Sequence, residues 1–103
     1  MPTADPLSHK EIEDRLAELP GWQLSEDETS LERTYHLAHL PAAVFVVHIA
    51  RIQDELNHHS DLTLGYNTVT VSITTHSAGG RLTAKDFDLA RRIAEIAPGH
   101  GAQ

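Results

Sequence analysis

Eight histidines stand among 103 residues that contain no cysteine. Imidazole is the side chain that titrates near neutral pH, so the chemistry open to this chain depends on where those rings sit. His58 and His59 are adjacent and follow a helical apolar stripe of Phe45, Ile49, Ile52 and Leu56, spaced +4, +3, +4. Extended at 100° per residue, the helix puts His59 about 50° from the centre of that stripe, at its edge, and points His58 away from the core. Asp54 precedes His58 by four and Glu55 precedes His59 by four, a spacing at which helical side chains touch. A helix C-terminus and a nearby carboxylate both favour the imidazolium, which suits a proton donor. Taken alone, the pair fits two histidines solvating the last helical carbonyls better than it fits a catalytic role. His76 ends a strand before Ser77-Ala78-Gly79-Gly80, where it could face a cleft with little steric cover or simply face water. Asp86 sits three residues after Thr83, where capping a helix explains it unaided.

Other chemistries find little support. Adjacent helical histidines diverge by about 100° and rarely share one ion. Neither H-x₃-H nor H-E-x-x-H occurs, so no metal is expected. Without cysteine there are no disulfides, thiolate sites or iron–sulfur clusters. G-x-S-x-G and a phosphate-binding glycine loop are both missing. His9, His36, His39, His48 and His100 read as background, with His48 about 60° off the stripe and His100 in a frayed tail. The net charge of −7 argues against direct nucleic-acid contact. The N-terminus lacks a basic and an apolar region, and the stretch Ala42 to Ala50 is broken by His48 and too short to cross a bilayer. These features predict a soluble, cytoplasmic protein without a membrane partner.

The length predicts one domain over residues 1–103, with an ordered core at about 7–97. Residues 1–6 should be loose. Ser8 and Glu11 form an S-x-x-E capping box, flanked by a Leu7/Ile12 staple, and Ile12, Leu16 and Leu19 continue a stripe until Pro20-Gly21. Trp22 and Leu24 begin a hairpin, closed by an acidic turn and a strand bearing Leu31, Arg33, Tyr35 and Leu37 on one face. Leu40-Pro41 opens the longest helix. Leu62 and Leu64, then Val69, Val71 and Ile73, switch to period two. If Tyr66-Asn67 is a two-residue loop, Leu64 faces Val69 and Leu62 faces Val71. Thr83 and Asp86 start a third helix with Phe87, Ala90, Ile93, Ala94 and Ala97 inward, ended by Pro98-Gly99. The order α-β-β-α-β-β-α predicts an α+β fold, a four-stranded antiparallel sheet covered on one face by helices. The uncovered face would carry Thr68, Thr70, Ser72 and Thr74, which suits either solvent or another subunit.

The spacing of Asp54, His58-His59-Ser60, Tyr66, Thr75-His76 and Asp86 resembles the pterin-4a-carbinolamine dehydratases, also described as dimerisation cofactors of a homeodomain transcription factor. The resemblance covers about residues 8–97. It includes Gly21-Trp22 and the run Leu82-Thr83-Ala84-Lys85-Asp86-Phe87-Asp88-Leu89-Ala90. It implies the same α+β order and the loss of water from 4a-hydroxytetrahydrobiopterin, or a related 4a-hydroxytetrahydropterin, to give quinonoid dihydropterin. By the same resemblance His58, His59 and His76 are the catalytic acids and bases, with His58 leading. By the same resemblance Asp86 and Asp54 orient the imidazoles or the pterin, Tyr66 and Thr75 bind the pterin, no metal or cofactor takes part, and the chain forms a homodimer or homotetramer. Two departures bear on the pocket. Ser60 stands where the family most often has proline, and Arg81 is an extra residue between Gly80 and Leu82. The rival reading is a non-catalytic interaction or assembly protein on the same scaffold, which would have no need to keep His58, His59, His76 and Asp86 together.

Overall fold

The computed structural model describes residues 5–103, so the expectation of a loose 1–6 segment lies mostly outside the described residues. Three helices, α1 (His9–Leu16), α2 (His39–Leu56) and α3 (Ala84–Ile96), alternate with β1 (Gln23–Leu24), β2 (Leu31–His36), β3 (Asp61–Leu64) and β4 (Thr68–Ile73). The strands form one antiparallel sheet in the order β1-β2-β4-β3. The two hairpins join through β2 and β4, which place Leu31 opposite Ile73 and Tyr35 opposite Val69. Those residues, with Val71, Phe45, Ile49, Ile52, Phe87, Leu89, Ala90 and Ile93, make a core between one sheet face and the helices. The threonine face is left partly open, with Thr34 and Thr70 hydroxyls 3.1 Å apart.

Local signals explain the helix starts. Ser8 accepts from the Glu11 N–H at 3.2 Å while Glu11 accepts from the Ser8 N–H at 3.0 Å. Thr83 and Asp86 repeat the arrangement at α3. Helix α1 stops at Leu16, earlier than its stripe suggested, yet Leu19 still reaches the core. In the β3–β4 hairpin Leu64 pairs with Val69 and Leu62 with Val71, as the alternation required. Tyr66 and Asn67 close it without positive φ, so a tyrosine fits there unstrained.

Pro6, Leu7 and the C-terminal residues hold more structure than composition suggested. Pro6 bridges Thr83, and the Leu7 N–H donates to the Leu82 carbonyl at 2.9 Å. Residues 97–100 wind into a 3₁₀ turn, and the Gln103 N–H donates to the His36 carbonyl at 3.0 Å. His100 is therefore not in a frayed tail. Its ring packs on Phe45, and its Nε2 lies 2.8 Å from His48 Nδ1. That contact is a nitrogen–nitrogen hydrogen bond, so at least one of the two rings must be neutral.

Burial, and then the His48 imidazole, lower the His100 pKa from the ordinary value of 6.5. The unfolded chain thus takes up this proton first, and stability is lost as pH falls below 6.5. From about pH 7 to about pH 5, the urea midpoint of wild type should fall more steeply than that of His100→Asn. Equal slopes would contradict the assignment.

Candidate active site

The end of α2 determines where the histidine pair points. Asn57 takes the left-handed conformation, φ 51°, ψ 43°, and caps the helix. The His58 N–H reaches back to the Gln53 carbonyl at 3.0 Å, a reverse-turn closure that such caps favour. The helical angle consequently stops at Leu56. Helical extrapolation put His59 against the core edge and His58 away from it, and the structure has the reverse. The His58 side chain is only 10% exposed, and that of His59 is 60% exposed. The carboxylate pairs change as well. Asp54 bonds His59, at 2.9 Å, rather than His58. Glu55 turns to Arg51 and Arg92 and makes no ion pair with His59.

The partner of His58 comes from 28 residues further along the chain: its Nε2 lies 2.7 Å from Asp86 Oδ1. Asp86 is fully buried in the first turn of α3. Its Oδ2 accepts from the Thr75 hydroxyl at 2.7 Å and from the Thr83 N–H at 2.8 Å. The capping role foreseen for Asp86 is real, but it uses one oxygen and leaves the other for His58. Because Asp86 accepts, Nε2 of His58 carries the hydrogen. Its Nδ1 is then the nitrogen left to exchange a proton elsewhere.

Strand β4 stops at Ile73, so His76 does not end the strand. It opens a 3₁₀ turn, His76–Ala78, that two left-handed glycines, Gly79 (φ 69°) and Gly80 (φ 82°), bring back to Leu82. A Thr75–Arg81 bridge closes this turn. It leaves Thr75 buried and His76 exposed, facing the end of α2 across a hollow of about 240 Å³. His58, His59, Thr75, His76 and Lys85 line that hollow. A second hollow of about 130 Å³ shares His59, Thr74 and His76 with it and adds Ser60, Asp61 and Ser72.

The structure therefore brings together His58, His59, His76, Thr75 and Asp86, with Asp54 attached through His59. The Thr75 hydroxyl is committed to Asp86. Tyr66 is not among the lining residues of either hollow. It lies at the far end of the β3–β4 hairpin, 84% exposed and stacked on His39. Lys85, Asp61 and Ser72 are not singled out for the site by sequence spacing. Lys85 precedes Asp86 in the capping box, and Asp61 pairs with Ser72 in a register that was legible.

The two departures from the family pattern both touch the rim of the site. Ser60 accepts a hydrogen bond from the amide of Gln53, a buried side chain on α2. A proline could not offer that hydroxyl. Arg81 lines a separate hollow with Leu7, His9 and Thr29, apart from the one that His58, His59 and His76 share, while its backbone bridge to Thr75 closes the turn that carries His76. Among the described residues, no group of three or more His, Asp or Glu is arranged to hold a metal ion. Nor is any helix among them long and apolar enough to cross a membrane.

The family model described as pterin 4 alpha carbinolamine dehydratase matches residues 5–96. A Streptomyces avermitilis protein is 62% identical over 95% of this chain and 96% of its own length. One from Chloroflexus aggregans is 47% identical over 87% of this chain and 95% of its own length. Both are provisionally named pterin-4-alpha-carbinolamine dehydratases. A crystal structure from Brucella melitensis, titled a transcriptional coactivator/pterin dehydratase, is similar with a TM-score of 0.85 and 29% identity. The match covers 90% of this chain and 99% of that one.

Proposed function

Because the chain belongs to the pterin-4-alpha-carbinolamine dehydratase family, we propose that it dehydrates 4a-hydroxytetrahydrobiopterin or a related 4a-hydroxytetrahydropterin. The observation that carries this reading is the His58–Asp86 pair opening onto a hollow shared with His59 and His76. In the reaction the C4a–O bond breaks and the electrons of the neighbouring ring N–H form a C4a=N bond. One proton goes to the departing hydroxyl, giving water, and one leaves the ring nitrogen. Quinonoid dihydropterin remains.

His58 is the leading acid/base. Asp86 holds its Nε2–H, so Nδ1 transfers the proton. His59 and His76, exposed across the same hollow, share proton transfer and bind the hydroxyl. Asp54 steadies the His59 ring. Thr75 acts on the pterin through Asp86 rather than by its own hydroxyl. Tyr66 would need a rearrangement, or a second chain, to meet the substrate.

Titrating a non-reacting dihydropterin tests the binding half of this reading. The ring NMR signals of His59 and His76 should move, and those of His9 should not. Shifts confined to rings outside the hollow would contradict it.

A homodimer or homotetramer is the second part of the proposal. Leu40, Val44 and Val47 lie exposed at +4 and +3 along the outer face of α2, an apolar stripe that a second copy would cover. Light scattering is expected to return a mass of at least two chains. A single-chain mass at micromolar concentration would contradict this part alone.

A further inference from the structure

The buried hydroxyls around Asp86 form a one-way row. Thr75 has one hydroxyl hydrogen, and it goes to Asp86 Oδ2 at 2.7 Å. The Thr75 and Thr83 hydroxyl oxygens are 2.9 Å apart. Since the Thr75 hydrogen is already committed, Thr83 must be the donor in that contact. Capping α3 asks only for a lone pair of Thr83, which accepts from the Lys85 N–H at 3.3 Å. The cap therefore leaves the Thr83 hydrogen over, in a side chain with no exposure to water. The row runs from the Thr83 hydroxyl to the Thr75 hydroxyl to the Asp86 carboxylate, which also accepts from the His58 ring. In a dry setting such rows are mutually strengthening, because each donor polarises the next.

We propose that Thr83 is a positioning residue for the reaction as well as the cap of α3: through Thr75 it orients Asp86, and so sets the direction and tautomer of His58. This rests on the dehydratase reading. Thr83 touches no substrate and acts only through its neighbours. A valine at this position keeps the shape and loses the hydroxyl, whereas a serine keeps the hydroxyl.

Turnover and a ring signal together test the proposal. Thr83→Val is expected to lower kcat about tenfold while KM stays within about twofold. Thr83→Ser should restore kcat. In a Thr75→Val background the row is already cut, so adding Thr83→Val should cost no further kcat, although the lost cap still lowers Tm. Full kcat in Thr83→Val, no rescue by serine, or additive losses in the double variant would each overturn the proposal and leave the dehydratase reading standing. If wild type itself shows no turnover, the dehydratase reading fails separately. The His58 Nε2–H proton signal then decides the physical coupling: a shift in Thr83→Val that serine reverses supports it, and an unmoved signal overturns it.

Discussion

Replacing His58 with alanine should lower kcat/KM by about 10²–10⁴-fold, the usual contribution of a positioned acid/base. The fold should survive. His58 lies beyond the end of α2 and fills no part of the apolar core, and Asp86 keeps the Thr75 hydroxyl and the Thr83 N–H after the ring is gone. The loss of one hydrogen bond to a carboxylate should cost about 1–2 kcal/mol, with water entering from the adjoining hollow. Urea unfolding alongside the rate measurement separates the two effects. A variant that folds and turns over like wild type would remove His58 from the mechanism.

Asp86→Ala should behave differently. It strips the acceptor from three donors at once: the His58 ring, the Thr75 hydroxyl and the Thr83 backbone N–H. Thr75 and Thr83 are themselves buried, so water cannot readily replace the lost carboxylate. The capping box of α3 is broken in the same step. A loss of about 3–5 kcal/mol is expected, a large share of the roughly 5–15 kcal/mol that holds a domain of this size together. Activity should go with it, but here the stability change is diagnostic. A cost below about 1 kcal/mol would mean that the three donors find other partners and that Asp86 is not the centre of the network.

These contrasting outcomes mark where sequence logic succeeds and where it stops. Period-two alternation in Leu62, Leu64, Val69 and Val71, together with a two-residue Tyr66-Asn67 loop, gave the β3–β4 register, because a slip by one residue would turn every leucine and valine to the open face and the loop length excludes a slip by two. The S-x-x-E and T-x-x-D boxes located two helix starts for an equally local reason. The histidine pair was harder to orient. A single residue, Asn57, leaves the helical conformation and turns His58 inward and His59 outward. Nothing in the apolar periodicity announces that step, since the periodicity ends at Leu56. The His58–Asp86 contact is likewise invisible to local patterns, because the sheet and α3 bring it together across 28 residues. Only the resemblance to a family linked those two positions in advance. The C-terminal turn was missed because its anchor, a His48–His100 contact, joins two residues that each looked like background.

The proposed dehydration of a 4a-hydroxytetrahydropterin through His58 is open to direct test. Stopped-flow absorbance on freshly generated 4a-hydroxytetrahydropterin measures this most directly, because the uncatalysed reaction runs in the same cell as its own reference. Catalytic amounts of wild type should hasten the appearance of quinonoid dihydropterin, and equal amounts of folded His58→Ala should not. A well-folded wild type that leaves the spontaneous rate unchanged would contradict the proposal, and would favour an interaction protein built on the same scaffold.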